Sequence, residues 1–205
     1  MKVDLENIFF ESCQSGNLDK VKACETLGFN VNSASSYLGQ TGLEIAAIID
    51  NLELLEYLLS CPGVDVNKES GCFTPLMLAC DQGNDGIMKR LLQVPGIEVN
   101  YQTSSGMSAA HWAALNGRTE CVRTLSTVEE VDWNLKDGYG TTPHPLALVD
   151  NHAECAEIIV SIPGVDLSFT DKLFKHFWYC TCILKSIEYA LLNTNSFLFL
   201  FHYLV

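Results

Sequence analysis

The sequence predicts an all-α solenoid of about five helix-turn-helix units with hairpin-like loops, followed by an apolar C-terminal tail outside the repeat. Two markers and one break in composition predict it. A helix-start motif recurs as T-G-L-E-I-A-A from Thr41, T-P-L-M-L-A-C from Thr74, S-A-A-H-W-A-A from Ser108 and T-P-H-P-L-A-L from Thr142, at spacings of 33, 34 and 34 residues. A second motif runs in the same phase: G-F-N-V-N ending at Asn32, P-G-V-D-V-N at Asn67, P-G-I-E-V-N at Asn100, E-V-D-W-N at Asn134 and P-G-V-D-L-S at Ser168. Two independent markers sharing one period of this length signal stacked repeats. Both stop near residue 171, where charge and aromatic content also change.

The units follow in order as about 5–36, 37–70, 71–104, 105–138 and 139–171. Thr or Ser before Pro, as at Thr74-Pro75 and Thr142-Pro143, is a helix N-cap followed by a residue whose missing N–H costs nothing at the first helical position. Small and apolar residues then make a short first helix with a close-packing face: Leu76, Leu78 and Ala79 in the third unit, Ala110, Ala113 and Ala114 in the fourth. Gly83, Gly117 and Asn151 can take the left-handed conformation that closes it. A second apolar stripe at helical spacing comes next, as in Leu54, Leu55, Leu58 and Leu59, or Ile87, Leu91 and Leu92. The turn-rich stretch Lys136-Asp137-Gly138-Tyr139-Gly140 suits a tight hairpin-like loop. No unit buries its apolar face alone, so neighbours must stack.

These residues resemble the ankyrin repeat, with its D-x-x-G-x-T-P-L-H-x-A-A start, G-x-x-E-x-V-x-x-L-L second helix and D-V-N ending. Asp137, Gly140, Thr142, Pro143, Leu146, Ala147 and Glu154 match in the last unit; Gly106, His111, Ala113, Ala114, Gly117, Glu120 and Val122 match in the one before. The first unit keeps Gly16, Val21 and the V-N ending but reads N-I-F-F for T-P-L-H, as a terminal unit with one solvent face is free to do. Cys61-Pro62-Gly63, Val94-Pro95-Gly96 and Ile162-Pro163-Gly164 lengthen the second-helix exit by one residue. The loop from Asn67 to Thr74 is one residue shorter than that from Asn100 to Ser108, so its tip should be displaced. His144-Pro145 puts a histidine where an apolar residue should be buried.

Charge and motif content exclude several function classes. The 205 residues carry a formal net charge of -13, and residues 1–171 hold 24 acids against 9 bases. Nucleic acid and anionic lipid call for clustered Lys and Arg, so neither is an expected partner. The cysteines are scattered singly and Met1 to Phe10 lacks an apolar signal core, which predicts a reducing compartment: the cytoplasm, with the nucleus also open. Metal-ligand spacing, phosphate-binding glycine loops and nucleophile motifs are missing, so no metal, no cofactor and no catalysis are expected. His111 falls on the T-P-L-H histidine, for which the resemblance implies a ring bonded to the neighbouring loop backbone. His152 reads as a solvated surface residue. Glu53, Glu120 and Glu154 recur at one repeat position and read as a solvated helix face rather than paired acids.

What remains is binding. The resemblance implies a non-enzymatic protein–protein interaction module, an adaptor, scaffold or inhibitor, whose concave face takes a partner protein or peptide. The candidate contacts are the loop residues Lys68, Glu69, Tyr101, Gln102, Lys136 and Tyr139, with Trp112 on a first helix; Trp133 reads as core. The acidity favours a basic or neutral partner over an acidic one. The resemblance also points to Asn67 and Asn100 as asparagines for an oxygen-dependent hydroxylase, with Leu59 and Leu92 eight residues upstream; the alternative is a turn asparagine bonding its own backbone. In the tail 172–205, 9 of the chain's 20 aromatics gather and residues 189–205 are uncharged. Three readings of it stand: a truncated, spliced or mistranslated end, an apolar cap, or a membrane anchor, although Asn193 to Ser196 interrupt the apolar run that a span of about 20 residues needs. The competing functions are accordingly a membrane-tethered repeat protein and a regulatory fragment of a larger signalling or ubiquitin-ligase component.

Overall fold

The computed structural model describes residues 2–37 and 39–167, so the tail and all three readings of it lie outside the described residues. Among the described residues ten helices run in chain order: α1 Lys2–Gln14, α2 Leu18–Thr26, α3 Gly42–Ile48, α4 Leu52–Ser60, α5 Pro75–Gln82, α6 Asp85–Leu92, α7 Ala109–Leu115, α8 Thr119–Leu125, α9 Pro143–Val149 and α10 Ala153–Val160. Each odd helix packs on the following even one, and α3, α5, α7 and α9 pack in succession. The architecture is the all-α repeat that the period predicts. No described helix is long and apolar enough to cross a membrane.

Helices this short are unstable alone, so their order comes from caps and stacking. Thr41 caps α3 and closes a capping box with Glu44, and Met77 N–H donates to the Thr74 hydroxyl at 3.3 Å. The turns between paired helices are left-handed at Gly83, Gly117 and Asn151 as expected, and also at Gly16 and Asp50. The first helices meet through small residues: Ala46, Ala47, Ala79, Cys80, Ala113, Ala114 and Ala147 are fully buried. Leu54, Leu55, Leu58, Ile87, Met88, Leu91, Val122, Leu125 and Ile159 fill the layer beneath the second helices. At the first unit, Phe9 stacks on Phe29 with ring centroids 4.4 Å apart and meets Phe10 edge-on at 5.2 Å. This aromatic cluster is what N-I-F-F supplies in place of the usual start. His144 is buried as its position requires, 7% exposed, and burial lowers its pKa.

The loops show why their lengths matter. Thr103 N–H bonds Met107 O at 3.1 Å and Asp137 N–H bonds Thr141 O at 2.9 Å, both closing over four residues. In the shortened loop, Ser70 N–H bonds Phe73 O at 3.1 Å and closes over three; in the first loop, Ser35 N–H reaches Gln40 O at 2.8 Å, over five. Neighbouring tips touch where Gly138 N–H donates to Ser105 O at 2.7 Å. A Cβ on Gly106, whose φ is +77, would lie 2.6 Å from Gly138 N, so this contact tolerates only glycine. The second-helix exits are Pro-Gly turns at Gly63, Gly96 and Gly164, each with positive φ as a type II turn requires; in the fourth unit Glu129-Glu130 replaces Pro-Gly and the backbone stays at negative φ.

Candidate functional site

The loop tips and the exposed side of the first helices form the candidate surface, and its residues divide into two kinds. Lys68, Lys136 and Tyr139 point to solvent, Tyr139 being 77% exposed. Glu69, Tyr101 and Gln102 instead tie neighbouring loops together. The Tyr101 hydroxyl donates to Glu69 Oε2 at 2.5 Å, which raises the pKa of the phenol. Gln102 Nε2 donates to Gly106 O at 2.6 Å and across to Lys136 O at 2.9 Å. Tyr37 escaped the sequence reading and is 92% exposed on the first loop tip. The signal was present: it lies five residues after Asn32, as Tyr139 lies five after Asn134.

On the first helices, Trp112 is partly buried, with its ring 4.8 Å from that of Phe73. Asn116 Nδ2 donates to Asp81 Oδ1 at 2.9 Å and to Trp112 O at 3.1 Å. Trp133 is 4% exposed and belongs to the core, as expected.

Deeper in the stack, the T-P-L-H position is a bridge between units. His111 is fully buried. Its Nδ1 accepts from Ser108 N–H at 3.2 Å and from the Ser108 hydroxyl at 2.7 Å, so the proton sits on Nε2, which donates to Thr141 O at 3.1 Å. Burial lowers the His111 pKa and holds the ring neutral. Glu44 occupies the same position in the second unit, also fully buried. It takes Thr41 N–H at 2.8 Å, Ser70 N–H at 3.2 Å and the Ser70 hydroxyl. Its pKa is raised by burial, with those donors opposing the shift.

Asn67 and Asn100 do not bond their own backbone. Asn67 Nδ2 donates to Gly96 O at 2.8 Å while its Oδ1 accepts from Glu98 N–H at 2.9 Å; Asn100 does the same with Glu130 O at 2.6 Å and Asp132 N–H at 2.8 Å. Asn32 and Asn134 repeat the pattern, making one ladder of amides through successive units. His152 is also unlike the solvated residue expected: it is half-buried, and its ring lies so close to Gly117 that a Cβ there would come within 2.3 Å of Nδ1. Glu120 and Glu154 are exposed but share Arg123, at 3.5 and 2.9 Å, and such surface pairs are worth little.

Comparison with known proteins agrees with this architecture. A family model of ankyrin repeats in three copies matches residues 9–103 and 76–171. Over 68% of its length the chain is 27% identical to the putative ankyrin repeat protein YahD of Escherichia coli, covering 69% of that protein. It is 34% identical over half its length to the SMC5-SMC6 complex localization factor protein 1 of Bos taurus, and 26% identical over 76% to the putative E3 ubiquitin-protein ligase XBAT31 of Arabidopsis thaliana. In those two it spans only 10% and 37% of the larger protein.

Proposed function

The chain belongs to the ankyrin-repeat family, and from that premise we propose that it is a protein–protein interaction module, an adaptor, scaffold or inhibitor, that takes a basic or neutral partner on its loop tips and first helices. The observation that carries this reading is the pair of tip tyrosines, Tyr37 and Tyr139, 92% and 77% exposed on separate loops. Rigid amphipathic rings held away from the core supply contact area at low entropic cost. The net charge of -13 supports the preference in partner. Full-length chain carrying Tyr37→Ala and Tyr139→Ala should keep its helical circular dichroism and melting temperature and lose partner capture by about tenfold or more. Unchanged capture by a folded variant overturns the reading.

The proposed compartment is the cytoplasm or nucleus, on the strength of six buried free cysteines scattered singly along the described sequence; expression of a tagged chain followed by fractionation tests it. Asn67 and Asn100 stand as proposed hydroxylation sites. Their amides bridge units through Nδ2 and Oδ1, which leaves Cβ as the carbon that can be oxidised without breaking the ladder. Peptide mass spectrometry should find one added oxygen at either residue after growth in high oxygen, and its absence at both removes the proposal. A second reading, part of a larger ubiquitin-ligase component, is favoured by the 170-residue match to XBAT31, and transcript evidence on the C-terminus decides it.

A further inference from the structure

We propose that the groove between the exits of α8 and α10 docks a lysine or arginine of a partner protein, its stem on the apolar walls and its charge at Glu129 and Asp132. An open cavity of about 310 Å³ lies there, walled by Val128, Val131 and Trp133 from the fourth unit and by Ile162, Pro163 and Val165 from the fifth. Its volume is at the lower end of ligand-sized cavities. The Asn134 amide ties the two walls, donating through Nδ2 to Gly164 O at 2.9 Å and accepting Asp166 N–H on Oδ1 at 2.6 Å. The groove is therefore formed before anything enters it, which spares a ligand the cost of ordering it. No loop-tip or first-helix residue lines it, so this surface goes beyond the one that carries Tyr37 and Tyr139.

The fourth exit differs from the others in the residue that gives the groove its sign. Val128 N–H closes on Leu125 O as Cys61, Val94 and Ile162 close on Leu58, Leu91 and Ile159, which aligns Glu129 with Pro62, Pro95 and Pro163. Proline serves this turn in three other units, so the turn itself does not call for a carboxylate. Glu129 and Asp132 both line the cavity and are exposed, and Asp132 Oδ1 accepts Asn134 N–H at 2.9 Å. Among the described residues no ion pair involves either acid. The stretches 124–135 and 157–167, which supply both walls, contain five acids and no Lys, Arg or His. The preceding base, Arg123, is held by Glu120 and Glu154 at 3.5 and 2.9 Å. Lysine and arginine suit such a groove because their methylene stems cover apolar surface while the charged head stays in water at the rim. An acidic side chain is repelled from the same place.

The test is titration of the full-length 15N-labelled chain with acetyl-Leu-Arg-Leu-amide, reading the backbone amides of Val128, Val131, Trp133, Ile162 and Val165. Saturable movement of these peaks is expected, with affinity about fivefold lower for the citrulline peptide and no binding of the glutamate peptide. Glu129→Gln leaves the backbone untouched, and Glu129→Pro with Glu130→Gly rebuilds the exit of the other units. Both variants should stay folded by circular dichroism and lose about as much affinity as citrulline does. About 0.5 M NaCl should remove most of the difference between arginine and citrulline. The chain carrying Tyr37→Ala and Tyr139→Ala should titrate unchanged. Equal affinity for the arginine and citrulline peptides, no movement at the groove, or full affinity in both folded Glu129 variants overturns the proposal. Loss of the titration in the tyrosine variant places the peptide on the loop tips and also overturns it. So does movement of the same peaks with chain concentration in the absence of peptide, which would assign the groove to a second copy.

Discussion

Replacing His111 by alanine is expected to lower the stability of the fold by about 3 kcal/mol, read as a fall in the urea midpoint at constant slope. The ring is fully buried and holds three partners, two donors of Ser108 on one nitrogen and the Thr141 carbonyl on the other. Alanine strands the two Ser108 donors and takes one bond from the Thr141 carbonyl, which keeps Asp137 N–H at 2.9 Å, in a site where Ser108 and Thr141 are 1% and 4% exposed, and it opens a void the size of the imidazole. The damage should be local in its direction. Repeat arrays are coupled between nearest neighbours, so amides of α9 and α10 should lose more hydrogen-exchange protection than those of α3 and α4. A change below about 1 kcal/mol, or uniform loss of protection, would show that the ring is not the bridge between these units.

The same residue sets a pH dependence. Burial depresses the His111 pKa below its ordinary value of 6.5, while the Thr141 and Leu135 carbonyls and the Asp137 charge pull the other way. A depressed histidine binds fewer protons folded than unfolded, so its contribution is complete above 6.5 and is lost as pH falls through the window below it. His144, depressed by burial alone, adds a term of the same sign. Stability should therefore decline from pH 7 toward pH 5, and His111→Gln should flatten the decline without abolishing it.

How much of this was readable beforehand depends on how far each partner lies along the chain. Helix starts and turns are local, and Thr74-Pro75, Gly83 and Gly117 announce them by residue type alone. The asparagines were readable as a repeated position but not as a ladder, because Asn67 and Asn100 find their acceptors 29 and 30 residues away, in the next unit. Tyr37 went unnoticed although it keeps the register of Tyr139, because the first loop has no Asp-Gly turn such as Asp137-Gly138 to mark its tip. Trp112 was legible as an unusual residue; its pairing with Phe73 was not, because nothing in the sequence says that the shortened loop ends under the next unit's first helix.

Glu44 is the strongest case of chemistry that a motif conceals, since a family pattern reads it as a mismatch at the histidine position. The carboxylate performs the histidine's task by accepting from its own N-cap and from the next loop, so Glu44→Ala should also cost about 3 kcal/mol, by stranding the Thr41 N–H and the Ser70 hydroxyl and emptying a fully buried site, while Ser70 N–H keeps its bond to Phe73 O. Glu44→Gln keeps the shape but turns an amide donor toward a donor, at about 1 kcal/mol. The pH term has the opposite sign from that of His111. A carboxyl raised above 4.5 by burial binds more protons folded than unfolded, so its contribution is fully present below 4.5 and is lost as pH rises through the raised value. The deficit of Glu44→Gln relative to the natural chain should therefore be largest near pH 4 and shrink toward pH 7, while that of His111→Gln grows over the upper part of the same range. Urea titrations of the three proteins at matched pH read both trends. A Glu44→Gln deficit that grows with pH would mean that the three donors outweigh burial and that the group is held ionised.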